Sequence, residues 1–167
     1  MKKVAFSLLF FLSACFSESL MLGQKYEPTL SRMLFLFDGS QSMLGNWESD
    51  KKINIARNLL FHMIDSLDKL EYIEMALRVY GHQSPVPPQD CNDTKLEVPF
   101  GKNNGEIIKH KLNHINPKGT TPIAHSLELA QFDFPKCDNC RNIIILITDG
   151  IEACDGDPCE VDRKSVV

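Results

Sequence analysis

The chain has 167 residues, enough for one domain of ordinary size and too few for two. A hydrophobic share of 43% is that of a globular protein able to bury a core. The 18 basic residues face 22 acidic ones, a net charge of −4. No run of Lys or Arg marks a nucleic-acid or anionic-membrane surface, so neither is expected as a partner.

The N-terminus reads as an export signal. Lys2 and Lys3 precede the apolar run Val4 to Leu12, which is too short to span a bilayer. Leu12-Ser13-Ala14-Cys15 then resembles the bacterial lipobox, in which the Cys is lipidated and becomes the first mature residue. The alternative is ordinary cleavage further on, for instance after Gly23, with Cys15 discarded. Either way residues 1–23 are a leader, and the domain is expected outside the cytoplasm, in the periplasm or at the cell surface. Any membrane attachment would run through the lipid on Cys15.

Residues 24–32 read as a short linker. Met33 to Phe37 is a continuous apolar run of strand length, suited to a strand buried on both faces of a mainly parallel sheet. Gly39 to Asp50 is a polar loop. The apolar positions Ile53, Ala56, Leu59, Leu60, Met63, Ile64 and Leu67 recur at helical spacing, which predicts an amphipathic helix over 52–69. Met75 to Tyr80 is a second strand, ended by Gly81. The proline-rich stretch 82–94 is a loop, and Lys95 to Phe100 alternates as a strand near an edge does.

A helix over 104–115 presents Ile107, Ile108, Leu112 and Ile115 and is ended by Pro117. Another starts near Thr121-Pro122, with Thr as cap and Pro at the first helical position. Asn142 to Ile147 is the strongest strand signal and runs into Thr148-Asp149-Gly150. Strands alternating with helices predict an α/β fold: a Rossmann-like, mainly parallel sheet with helices on both faces.

Five cysteines remain after Cys15: Cys91, Cys137, Cys140, Cys154 and Cys159. Outside the cytoplasm they favour disulfides over a reduced zinc site. Their connectivity is not readable from sequence, and the odd number leaves one thiol over.

Three polar clusters fall where open α/β sheets bind ligands, beyond the carboxyl ends of strands. Asp38, Ser40 and Ser42 follow the first strand. Thr120 and Thr121 begin a helix after Gly119, and Asp149 follows the last strand. If those two strands are neighbours, Asp38 and Asp149 come together, and a cation would relieve their repulsion. Oxygen donors without His or Cys suit a hard cation: Mg2+, Mn2+ or Ca2+. Two carboxylates are few for a tight Ca2+ loop, which favours Mg2+.

Asp38-Gly39-Ser40-Gln41-Ser42 resembles the DxSxS motif of von Willebrand factor A domains. Pro117 to Ile123 is similar to that family's G-x-T-P segment, and Ile147-Thr148-Asp149-Gly150 to its strand ending in T-D-G. The resemblance implies coordination by Ser40, Ser42 and Thr121, with Asp38 and Asp149 acting largely through water. It also implies an open metal position filled by a carboxylate from a partner protein.

Thr120 stands where a Gly is common, so either threonine could be the ligand, with Thr121 favoured because it precedes Pro122. Cys91-Asn92-Asp93 and Gly150 to Cys159 resemble an exported bacterial branch. The family fold continues beyond the Cys159 segment. Residues 162–167 do not read as the helix expected there and resemble a translated sequencing adapter. The expectation is a partial domain over 33–161, a non-native tail at 162–167, missing last strands and an exposed edge at 142–147.

Each residue also has an ordinary reading. A lone loop serine is seldom a ligand, and the weight lies in the three clusters together. His62, His82, His110, His114 and His125 are scattered and expected at the surface or satisfied, although His125 lies one helical turn beyond Thr121. Trp47 is either a partner contact or a lid on the following helix. Asp155 and Asp157 fit a disulfide-pinned turn better than a Ca2+ site. The expected function is therefore binding rather than catalysis. The alternatives are a metal-dependent hydrolase using Ser40 or Ser42, or a purely structural exported domain. No base and no nucleophile-elbow pattern accompanies the serines.

Overall fold

A computed structural model of the chain describes residues 28–165. The leader, with the proposed lipidation site Cys15, lies outside the described residues. The elements run β1 (Leu30–Asp38), β2 (Asn46–Trp47), β3 (Asp50–Lys51), α1 (Lys52–Leu67), β4 (Ile73–Tyr80), β5 (Thr94–Gly101), α2 (Gly105–Asn113), α3 (Ile123–Ala130), β6 (Cys140–Ile147) and α4 (Pro158–Ser165). A four-stranded sheet has the order β5-β4-β1-β6. β1 is parallel to both β4 and β6, and β5 is antiparallel to β4. The short β2 and β3 form a hairpin of their own.

The apolar run of β1 is buried on both faces, as its lack of alternation requires. Phe35 and Phe37 join Met75, Leu77 and Val79 of β4 on one face. There α1 contributes Ile53, Leu60 and Ile64, and α2 contributes Ile108 and Leu112. Leu34 and Leu36 point the other way, with Ala76 and Tyr80, onto Ile123 and Ala130 of α3. Each fully buried side chain of this size contributes roughly 1.5–3 kcal/mol. The second face also carries two arginines: Arg32 bonds Glu74 at 2.8 Å and the Pro135 carbonyl at 2.8 Å, and Arg78 grips both oxygens of Asp133.

Several expectations need correction. Residues 30–32 are not linker: they extend β1 and pair with Cys140, Arg141 and Asn142. Residues 162–165, which do not read as helix from the sequence, form the end of α4. Asp157 caps that helix through the Cys159 and Glu160 N–H groups at 2.9 and 3.1 Å, Pro158 opens it, and Glu160 pairs with Lys164 at 2.8 Å. Asp157 thus caps α4, in a segment pinned at Cys154 by its disulfide to Cys91. Leu59 and Ile107, counted with apolar faces, are 63% and 60% exposed.

The first strand pairs on both sides, but β6 pairs only with β1 among the described residues, so its apolar side chains are only partly buried. Among the described residues no helix is long and apolar enough to cross a membrane. Cys91 is bonded to Cys154 and Cys137 to Cys140, leaving Cys159 exposed and free.

Candidate metal centre

The three polar clusters meet at the carboxyl edge of the sheet. Strands β1 and β6 are adjacent, with Phe37 opposite Ile147, so the next residues on each strand, Asp38 and Thr148, face each other and Asp149 lies one step beyond. Asp38 is fully buried. Its carboxylate accepts the Ser40 N–H at 2.8 Å and the Thr148 hydroxyl at 2.7 Å. The hydroxyls of Ser40 and Ser42 are 3.0 Å apart, and Ser42 donates to Asp149 at 2.7 Å. The other oxygen of Asp149 is 2.6 Å from Lys52 Nζ.

Thr121 comes from the loop before α3. A Cβ placed on Gly150 would lie 3.8 Å from Ser42 Oγ and 3.9 Å from Thr121 Oγ1, so both hydroxyls border the same point. It is the Thr121 hydroxyl, next to Gly150, that lies nearest the Asp149 loop.

Backbone bonds lock the first two loops together. Gln41 N–H donates to Gly119 O at 2.9 Å, Gly119 N–H to Gly81 O at 2.8 Å, and Gly39 N–H to Tyr80 O at 2.8 Å. Gly81 sits between these loops at φ +68°, and a Cβ there would lie 2.3 Å from Thr120 O. Only glycine fits such a backbone. The Asp149 loop is joined differently. Ala153 N–H donates to Thr121 O at 3.1 Å, and Glu152 accepts from Ala124 N–H and Cys154 N–H at 2.7 Å each.

Glu152 therefore does the capping that was expected of Thr121. Helix α3 starts at Ile123 with Pro122 in the cap position and no side-chain cap bond there. Asp93, almost completely buried, plays a similar part for the turn after β4: its carboxylate accepts Ser84 N–H at 2.9 Å and Gln83 N–H at 2.9 and 3.1 Å.

The donor set fits a hard cation. Two carboxylates and three hydroxyls converge, and among the described residues no group of three or more His, Cys, Asp or Glu side chains is arranged to hold a metal. Any cation bound here depends on the hydroxyls. The Tyr80 hydroxyl supports a polar occupant: it is buried without a hydrogen-bond partner, and it faces Asp38 and Thr148. Burial and the Asp38 charge push this phenol well above its ordinary pKa.

None of the histidines joins the set. His125 lies 3.8 Å from Glu128, and His82 bonds Glu97 at 3.0 Å. Trp47 is 59% exposed on the β2–β3 hairpin and borders an apolar groove with Ile55, Ala56 and Leu59 of α1. Lys52 and Tyr80 are not picked out for this site by the sequence, because Asp149 and Asp38, which they meet here, are remote in the chain.

A mainly parallel sheet with helices on both faces and polar loops gathered at its carboxyl edge defines an α/β protein of the doubly wound kind. More narrowly, the chain belongs to the von Willebrand factor type A domain family, whose model matches residues 33–152. The uncharacterized protein YwmD of Bacillus subtilis (strain 168) is 32% identical over 134 residues, covering 77% of this chain and 59% of that protein. The chain thus spans about three-fifths of this curated relative's length.

Among solved structures, the conserved hypothetical protein BatB from Bacteroides thetaiotaomicron matches with a TM-score of 0.65 at 22% identity, over 81% of this chain and 60% of that one. The vWF domain of the type V pili tip protein Mfa5 from Porphyromonas gingivalis matches with a TM-score of 0.56 at 18% identity, over 74% and 39%. At these identities the likeness shows the fold alone.

Proposed function

We propose that this domain is a metal-ion-dependent protein-binding module at a bacterial cell envelope, and that it captures an acidic side chain of a partner protein. The observation that carries the reading is the meeting of Asp38, Ser40, Ser42, Thr121 and Asp149, from three separate loops, around one point. A bound Mg2+, or Mn2+ or Ca2+ in its place, would supply a Lewis-acidic position open to a partner's carboxylate oxygen. The serine and threonine hydroxyls would supply neutral donors. Asp38, held by Ser40 N–H and Thr148, and Asp149, held by Ser42, would supply the countercharge. With Asp38 and Asp149 acting through water and only neutral hydroxyls in direct contact, the cation would keep its pull on a carboxylate from outside. The export signal read at residues 1–23 supports the envelope placement.

Binding is favoured over hydrolysis by Ser40 or Ser42, because among the described residues no histidine hydrogen-bonds to either hydroxyl. In calorimetry, Asp38→Ala and Ser42→Ala should each weaken Mg2+ binding by at least about tenfold. Capture of an acidic partner from envelope extract should vanish in EDTA. Capture that persists in EDTA or in Asp38→Ala sinks the reading, and ester turnover lost in Ser40→Ala would put the hydrolase in its place.

A further inference from the structure

We propose that Lys52 is a built-in competitor for the cation, an ammonium that occupies Asp149 and sets the metal affinity of the site low. The inference rests on the metal reading above and adds a control to it. Lys52 is the first residue of α1, preceded by Lys51, and the first turn holds no acidic residue. A helix N-terminus is its positive end and favours acids, so a lysine here runs against local preference. Its compensation is remote. Nζ reaches Asp149 Oδ2 at 2.6 Å, across 97 residues of sequence.

This is no freely swinging surface lysine. Its side chain is 31% exposed, and that of Asp149 only 10%. The Lys52 N–H donates to Gly45 O at 2.9 Å, and a Cβ on Gly45 would lie 3.7 Å from Lys52 Cε, so the stem runs along the Gly45 backbone. Ser42 holds the other carboxylate oxygen, so both oxygens of Asp149 are engaged within the chain.

A nearly buried carboxylate needs a countercharge, and Lys52 supplies one from inside the protein. A dication brought to the same carboxylate must either sit beside the ammonium or displace it, and both weaken its net binding. The site then works as an exchange of one positive charge for another. Its occupancy follows the surrounding Mg2+ concentration instead of saturating permanently.

The test is Mg2+ titration calorimetry on the wild-type protein and on Lys52→Met, Lys52→Gln and Lys52→Arg, with circular dichroism to confirm the fold. Met and Gln should both bind Mg2+ about tenfold more tightly, the factor expected when one charge-assisted bond no longer has to be broken. Arg, which keeps the charge, should stay near the wild-type value. In thermal unfolding, Mg2+ should raise the midpoint of Lys52→Met more than that of the wild type. If Met and Gln bind as the wild type does, or more weakly, Lys52 merely orients Asp149 and the inference is overturned while the metal site stands. If neither wild type nor variants bind Mg2+, Mn2+ or Ca2+, the metal reading itself fails and this one with it.

Discussion

Tyr80 ends β4 with its hydroxyl buried and unpartnered beside Asp38 and Thr148. An unsatisfied buried hydroxyl costs roughly 1–3 kcal/mol of desolvation. Tyr80→Phe keeps the ring and removes that cost, so in urea unfolding with EDTA present it should stabilise the protein by about 1 kcal/mol. A loss of stability of that size would show instead that the phenol makes a hydrogen bond in solution. At this scale the sequence was readable only where the residues are spaced as a motif. Asp38, Ser40, Ser42, Thr121 and Asp149 could be picked out because hydroxyls and carboxylates punctuate the ends of apolar runs. Tyr80 looked like one more strand residue and Lys52 like one more helix residue. What gives them a role is a neighbour dozens of positions away.

Among the elements, β5 adds to its ladder with β4 a carboxylate that ties it to α2 and to the loop after β4. Glu97 is nearly buried and meets Lys111 of α2 at 2.9 Å, Lys95 at 3.0 Å and His82 at 3.0 Å. Burial alone would raise its pKa, but the bonds from Lys111, His82 and Lys95 bring it down to about 2. The folded-state value lies below the ordinary 4.5, so this stabilisation is complete above pH 4.5 and drains away as pH falls toward 2. A shift of that size is worth at most about 3 kcal/mol, and the half-exposed lysines screen part of it. Glu97→Gln should therefore be less stable than wild type at pH 7, and the gap should close by pH 2 in acid-dependent denaturation curves. A gap independent of pH would count against the ion-pair explanation.

Helical period revealed α1, and apolar runs of strand length revealed β1, β4 and β6, although β6 is only partly buried among the described residues. These signals missed the β2–β3 hairpin, two residues a side and exposed throughout. They misplaced the start of α3 and the end of the chain, where Glu152 and Asp157 decide the geometry through capping bonds.

For the whole molecule, the parallel α/β plan followed from the alternation of strands and helices, but the strand order did not, since no local signal says which strands are neighbours. Nor was the cysteine pairing readable. Cys91–Cys154 joins the loop after β4 to the segment after Asp149 across 63 residues, whereas Cys137–Cys140 closes a turn of three. Loop entropy makes the long bridge worth about 4 kcal/mol and the short one much less. Replacing Cys91 and Cys154 by Ala should lower the unfolding free energy by roughly that amount, and replacing Cys137 and Cys140 should not. Equal effects in urea denaturation would refute the distinction.

The position of β1 has a mechanical side. It is the strand that carries Asp38, and it is flanked by parallel neighbours on both sides, eight register pairs with β4 and eight with β6. A partner tugging on the site along the strand axis would load both ladders in shear. Their hydrogen bonds lie across the pull and would have to give way together, not one after another from an end. A tether fixed at the carboxyl end of the central strand is thus placed where this sheet best resists being pulled apart.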